Sequence, residues 1–88
     1  MITPVRIPLM EFGRTTLRIV SWNVNGLRAA VRNGFMDYLA ETKPDLLGIQ
    51  EVRARPDQLP TEVTAPEGYH ALFSPAQRAG YSGVALFS

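Results

Sequence analysis

The stretch LRIVSWNVNGLR, Leu17 to Arg28, combines a hydrophobic strand, two asparagines and a glycine turn within twelve residues. Its first part, LRIVSWNV, is rich in β-branched and aromatic side chains, which is typical of a strand buried on both faces. Asn23 interrupts that run, and burying its amide without a partner costs about 1–3 kcal/mol. We therefore expect Asn23 to face a polar cleft. Asn25 and Gly26 tolerate positive φ and predict a turn at the end of the strand.

The composition bounds the class of protein. The 88 residues suffice for one small domain, and 45% apolar residues exclude a disordered chain.

No run approaches the roughly 18 apolar residues that span a bilayer. The first sixteen residues carry two prolines and three charges, so they lack the apolar core of a secretory signal. These features predict a cytoplasmic protein without a membrane partner. The absence of cysteine excludes a disulfide framework and a thiolate metal site.

The charge is small and unevenly spread. The net charge is +1, but residues 1–40 carry +3 and residues 41–88 carry −2. A polyanion would therefore be bound through local arginines rather than through an overall basic field.

The residues after the first strand predict a helix and a second strand. Residues 1–16 are interpreted as an irregular leader, because prolines punctuate them and their apolar residues show no sustained period. From Leu27 to about Thr42 apolar residues recur every three or four positions, which predicts an α-helix that splits near Gly34, with Asn33 capping its second part. The short apolar run Leu46 to Ile49 then predicts a second buried strand.

A strand, a helix and a strand joined tightly form a βαβ unit with parallel strands. The carboxyl ends of parallel strands lie at the same edge of the sheet. Asn23 and the Gln50-Glu51 pair are therefore expected to emerge together, although Asn23 and Glu51 are 28 residues apart in sequence. Ligands of open α/β sheets commonly bind outside this edge.

The last third of the chain predicts a β-hairpin. Val52 to Gly68 is interpreted as a surface connection with one helical turn near Pro60 to Val63. Tyr69 to Ser74 and Val84 to Phe87 are predicted to be antiparallel strands joined by a long loop. One crossover helix covers only part of one face of four such strands. We interpret residues 17–88 as the N-terminal portion of a larger, truncated domain.

Glu51 is the first candidate for chemistry, because a carboxylate at the end of a buried strand is suited to hold Mg²⁺ through oxygen. The alternative is a solvated loop residue. Asn23 and Asn25 could orient a phosphate oxygen or bind the same ion, although Asn25 before Gly26 also makes a turn unaided.

Arginines and one tyrosine are candidates for substrate contacts. Tyr81, on a glycine-flanked loop, could pack against a sugar or base, and an exposed loop tyrosine is also common without such a role. His70 has no partner motif and is interpreted as structural. Five arginines are candidate phosphate contacts, and each could equally be a solvated surface residue. They are Arg28, Arg32, Arg53, Arg55 and Arg78.

Four blocks of the sequence together resemble the exonuclease III family of apurinic/apyrimidinic endonucleases, within the endonuclease/exonuclease/phosphatase superfamily. They are SWNVNGLR, PDLLGIQE, QLP and GYSGVALFS. The resemblance covers Leu17 to Ser88, and the order of the blocks makes it specific. It implies a DNase I-like, four-layered α/β sandwich, of which this chain supplies the N-terminal part.

The resemblance also implies roles for individual residues. Asn23 and Glu51 match the metal site, and Asn25 matches a position near the substrate that is Asp or Asn among relatives. Arg28 and Ala29 match a contact to the DNA backbone. The loop with Arg78, Gly80 and Tyr81 is similar to a minor-groove contact.

The implied activity is metal-dependent hydrolysis of phosphodiesters in DNA base excision repair, by a monomer acting on duplex DNA at abasic sites and 3′ ends. Mg²⁺, with Mn²⁺ as the alternative, would act as Lewis acid and template. The family's catalytic tyrosine, Asp-x-Asn pair and Asp-His pair match nothing in this sequence. No catalytic residue is therefore expected within the 88 residues, which should be inactive alone. The alternatives are a non-catalytic binding fragment and a superfamily phosphoesterase acting on phospholipid or inositol phosphate.

Overall fold

The computed structural model describes the backbone of residues 5–12, 15–75 and 83–88, and the side chains of residues 16–75 and 83–88. Its elements are, in order, strands β1 (Val5–Phe12) and β2 (Thr15–Asn23), helices α1 (Leu27–Arg32) and α2 (Phe35–Thr42), strand β3 (Leu46–Gln50), a 3₁₀ turn (Pro56–Gln58), helix α3 (Thr61–Thr64), and strands β4 (Ala71–Ser74) and β5 (Val84–Phe87). None of the helices in these ranges is long and apolar enough to cross a bilayer.

The strands form one mixed sheet in the order β1-β2-β3-β5-β4. β2 and β3 are parallel, and the register pairs Ile19 with Leu46 and Asn23 with Gln50. β5 is antiparallel to both β3 and β4. The predicted βαβ unit and the predicted hairpin of the last two strands are therefore both confirmed, within a mixed α/β fold.

The predicted leader differs from the structure in its described part. Val5–Phe12 form an edge strand antiparallel to β2, and β2 begins at Thr15. Pro8 is accommodated because the register is irregular there: Ile7 pairs with Ile19 and Met10 pairs with Leu17, so two residues of β1 lie opposite one of β2. Edge strands and bulges are the places where a sheet tolerates proline. The interpretation of residues 1–16 as irregular is thus wrong for Val5–Phe12.

The predicted helix splits at Gly34, as expected, but its cap is different. Gly34 itself, with φ of 105°, precedes α2. Asn33 instead ends α1: its backbone N–H and its side-chain Nδ2 both donate to the carbonyl oxygen of Ala29, at 3.1 and 2.8 Å. The prediction that Asn33 caps the second helix is therefore wrong, because its amide satisfies the carbonyl end of α1.

The helices cover one face of the sheet. Phe35 of α2 has its ring 5.5 Å from Trp22 on β2 and 5.8 Å from Phe87 on β5. The opposite face is left open, since Leu72, Val84 and Leu86 are 70%, 50% and 39% exposed. An uncovered apolar face was expected from a single crossover, and these exposures agree with it. The buried side chains on the strands of the covered face are Val20, Trp22, Leu47, Ile49, Ala85 and Phe87.

Candidate functional site

The candidate site lies where β2 and β3 end at a common edge of the sheet. Backbone hydrogen bonds continue beyond the strands: Val24 N–H donates to Gln50 O at 3.1 Å, and Gly26 N–H donates to Glu51 O at 2.8 Å. Leu27 N–H donates to the carbonyl of Val52 at 2.9 Å. The turn after β2 and the loop after β3 are thus joined along their length. The expected proximity of Asn23 and Glu51 follows from this pairing.

The side chains of Asn23 and Glu51 are in direct contact. Asn23 Nδ2 donates a hydrogen bond to Glu51 Oε2. The oxygen of the same amide accepts the backbone N–H of Asn25 at 3.0 Å. Because Asn23 is bonded at both ends, its nitrogen faces the carboxylate and its oxygen faces the turn. Asn23 therefore orients Glu51, and its amide has the polar partners that its place in an apolar strand predicted.

Glu51 is held as an ionised carboxylate. The hydrogen bond from Asn23 and that from Arg53 both lower its pKa below the ordinary value, while partial burial opposes them and the positive charge of Arg53 adds to the lowering. Arg53 Nη2 lies 2.7 Å from Glu51 Oε1. The Glu51 side chain is 34% exposed, so an ion from solvent can reach it.

The loop that carries Glu51 has an unusual backbone. Glu51 and Arg53 have φ of 53° and 55°, a left-handed conformation that non-glycine residues rarely adopt. Between them Val52 is only 1% exposed, and its N–H donates to Gly83 O at 3.1 Å. The buried valine and its hydrogen bonds hold the loop. No pattern in the sequence indicated this conformation.

A basic cleft adjoins the carboxylate. Its volume is about 400 Å³. The predicted substrate contacts Asn25, Arg28 and Ala29 all line it, and two further arginines, Arg32 and Arg53, line it as well. Guanidinium groups bind phosphate oxygens with planar, bidentate hydrogen bonds. The cleft is therefore chemically suited to a phosphate group.

Other predicted residues lie elsewhere. Arg55 pairs with Asp57 at 3.1 Å, outside the cleft. His70 exchanges backbone hydrogen bonds with Ser88 at the opposite end of the sheet, in agreement with a structural role. Arg78, Gly80 and Tyr81 lie outside the described residues, so their roles stay predictions.

The oxygen atoms that could bind a hard metal cation at this site are of the right kind but few. Glu51 offers carboxylate oxygens and Asn23 an amide oxygen, which are ligands that Mg²⁺ accepts. The guanidinium of Arg53 already pairs with Glu51 Oε1, so a metal ion at this carboxylate has to compete with it. Across the ranges that the structure describes, no three His, Cys, Asp or Glu side chains come together. The roles of Asn23 and Glu51 as metal ligands stay predictions.

The ion pair between Arg53 and Glu51 was not predicted from the sequence, in which Arg53 was one of several candidate phosphate contacts. The available signal was the position of an arginine two residues after the key carboxylate.

Comparison with known proteins identifies the family of this chain. The model of the endonuclease/exonuclease/phosphatase family matches residues 20–88. The exodeoxyribonuclease of Bacillus subtilis (strain 168) is 41% identical over 73 residues, which cover 82% of this chain and 28% of that protein.

Two solved structures have a similar fold. An AP endonuclease from Archaeoglobus fulgidus matches with a TM-score of 0.69 and 35% identity, over 82% of this chain and 27% of that one. The 3′ phosphatase NExo from Neisseria, bound to a product DNA hairpin, matches with a TM-score of 0.68 and 32% identity over the same shares, 82% and 27%. The chain thus spans less than a third of the length of these relatives. The resemblance noted in the four sequence blocks is confirmed, and the chain belongs to the endonuclease/exonuclease/phosphatase family, with exodeoxyribonucleases and AP endonucleases among its relatives.

Proposed function

We propose that this chain carries part of the active site of a metal-dependent DNA phosphodiesterase of the exodeoxyribonuclease III type, which acts in base excision repair. The observation that carries the proposal is the contact between Asn23 and Glu51 beside a cleft lined by arginines. An oriented carboxylate can hold a cation, and neighbouring guanidinium groups can bind a phosphodiester. The kinship with exodeoxyribonucleases and AP endonucleases supports DNA as the substrate.

The residues present fit a divalent cation at Glu51. Its carboxylate is ionised and partly exposed, and Asn23 fixes its orientation. Bound there, Mg²⁺ or Mn²⁺ would supply Lewis-acid polarisation of the phosphodiester. Asn23 contributes by positioning Glu51. Its oxygen accepts a hydrogen bond from Asn25 N–H and would have to leave that bond to join the ligand set.

The cleft is the proposed contact for the DNA backbone. Arg28 and Ala29 line it, with Asn25 at the turn. From the family resemblance, Arg78, Gly80 and Tyr81 would add a contact in the minor groove. The partner is duplex DNA with an abasic site or a 3′ end, and the DNA hairpin bound by the Neisseria relative supports a nucleic-acid partner. A cytoplasmic monomer remains the prediction from sequence.

The open face of the sheet is the proposed packing surface for a second sheet. Leu72, Val84 and Leu86 form an exposed apolar surface on it. A second sheet packed there would give the four-layered sandwich that the family resemblance implies.

The experiment is a nicking assay on duplex DNA with one abasic site. We expect a longer protein that contains these 88 residues to cleave in Mg²⁺ and to be inactive in EDTA. Glu51→Gln keeps the shape of the side chain but removes its charge. It should lower the cleavage rate by at least about 100-fold, because the loss of one group that stabilises the transition state typically has an effect of this size. Glu62→Gln, an exposed carboxylate on α3, is the matched control and should keep full activity.

Each alternative gives a different result. Cleavage by Glu51→Gln at the wild-type rate contradicts the proposed role of Glu51. Hydrolysis of an inositol phosphate, with intact abasic DNA, would favour a phosphoesterase of another branch. The 88 residues alone should not cleave, because the family's catalytic tyrosine, Asp-x-Asn pair and Asp-His pair match nothing in this sequence.

A further inference from the structure

Arg53 has two possible partners at the site. Its Nη2 lies 2.7 Å from Glu51 Oε1, and the residue also lines the cleft together with Arg28 and Arg32. The side chain is 47% exposed, so packing does not lock the guanidinium in place. A cation that binds Glu51 competes with Arg53 for the carboxylate. A phosphate in the cleft competes with Glu51 for the guanidinium.

The backbone places Arg53 between these partners. Glu51 and Arg53 both have left-handed φ, at 53° and 55°, on either side of the buried Val52. Such a conformation is unfavourable for residues with a side chain, so the surrounding structure must hold it. Gly26 N–H and Leu27 N–H donate to the carbonyls of Glu51 and Val52 and thereby fix this loop to the wall of the cleft.

Asn23 binds one oxygen of the Glu51 carboxylate and leaves the other oxygen for Arg53 or a metal ion. Its Nδ2 holds Glu51 Oε2, while Arg53 holds Oε1. Displacing Arg53 therefore exposes Oε1 without releasing the carboxylate from its orientation. The exchange requires only rotation of an arginine side chain.

We propose that Arg53 is a positioning residue that alternates between two partners. It pairs with Glu51 when no metal ion is bound, and it turns toward a phosphate of the substrate when a divalent cation takes Glu51. This inference rests on the proposed function, because it takes Glu51 as a metal ligand. Since coupling between two binding events is reciprocal, phosphate in the cleft should also favour cation binding.

The first test is the affinity for Mn²⁺, measured from the electron paramagnetic resonance signal of the free ion. Arg53→Gln should bind Mn²⁺ about 3- to 5-fold more tightly than the wild type, which corresponds to the upper range for a half-exposed ion pair. Arg28→Gln removes an equal charge from the same cleft without touching Glu51. Its affinity should stay within about 2-fold of the wild type, because the effect of an exposed charge is largely screened by salt.

The second test follows the arginine side chains by nuclear magnetic resonance. Mg²⁺ should shift the Arg53 Nε–H resonance in the wild type and leave it unchanged in Glu51→Gln. Inorganic phosphate, added as the probe, should shift Arg53 Nε–H only after Mg²⁺ is present. Arg28 Nε–H should respond to phosphate in both conditions.

The outcomes separate this inference from the proposed function. If the wild type and Glu51→Gln bind Mn²⁺ equally, Glu51 is not a ligand and both proposals are overturned. If Mn²⁺ binding requires Glu51 but Arg53→Gln and Arg28→Gln have equal affinities, only the role of Arg53 is overturned. An Arg53 Nε–H resonance that ignores Mg²⁺, or that ignores phosphate once Mg²⁺ is bound, has the same consequence.

Discussion

At the scale of single residues, the ionisation of Glu51 depends on Asn23. The hydrogen bond from Asn23 is the largest cause of the lowered pKa of Glu51. Replacing Asn23 with Ala should therefore raise that pKa toward its ordinary value, measured by a carboxyl-carbon titration. Asn33→Ala is the matched control, since Asn33 bonds to Ala29 and not to the carboxylate. An unchanged Glu51 pKa in Asn23→Ala would contradict this account.

Because the pKa of Glu51 is lowered in the folded state, the free energy of unfolding should depend on pH. A carboxyl whose pKa is lower in the folded state stabilises the fold in its charged form. This contribution is fully present above the ordinary pKa of 4.5 and is lost as the pH falls through the lowered folded value. Glu51→Gln should remove this part of the acid sensitivity, measured as the slope of unfolding free energy against pH below 4.5. A slope equal to that of the wild type would mean that Glu51 contributes nothing to it.

The contact between Asn23 and Glu51 could be predicted from the sequence, whereas the contact between Arg53 and Glu51 could not. Asn23 and Glu51 were expected together because parallel strands end at one edge of the sheet, and the hydrogen bond between them agrees. The contact of Arg53 with Glu51 could not be predicted, because it depends on left-handed φ at two non-glycine residues. Tertiary packing around Val52 decides that conformation, and local sequence does not encode it.

At the scale of elements, Gly34 determines how α1 and α2 are joined. Its φ is 105°, and a Cβ built on it would meet nothing within 4 Å. The cost of Gly34→Ala would therefore come from the backbone alone, and we expect a loss of about 1–2 kcal/mol in urea unfolding. Gly48→Ala in β3 is the control, because Gly48 lacks positive φ and its Cβ would only reach Gln50 Nε2 at 4.0 Å. Equal losses in the two variants would exclude the backbone explanation.

The helices and strands can be predicted from the local sequence where the hydrophobic residues recur with one clear period. The helix period over Leu27 to Thr42 and the apolar run at Leu46 predicted α1, α2 and β3, with the break at Gly34. β1 could not be predicted, because Pro8 disfavours a strand unless the strand is at an edge and bulged. Position in the sheet is a property of the tertiary fold, so the local pattern of residues 5–12 did not reveal it.

At the scale of the whole molecule, the two faces of the sheet differ. One face packs against α1 and α2, and the other exposes Leu72 on an edge strand and Leu86 on its neighbour. The single crossover helix allowed this asymmetry to be predicted. What covers the open face could not be derived from hydrophobic pattern, because any apolar surface of matching shape would suit it.

The proposed second sheet predicts how the protein responds to a change on this face. Leu72 is 70% exposed, so Leu72→Ser should alter stability by less than about 0.5 kcal/mol if water covers the face. If a second sheet covers it, the same change should cost about 1.5–3 kcal/mol, the contribution of burying a leucine side chain. Urea unfolding of a longer protein that contains these 88 residues measures the difference, with Ala40→Ser on the exposed side of α2 as the control. We expect the larger loss for Leu72→Ser, and equal, small losses in the two variants would contradict the packing of a second sheet on this face.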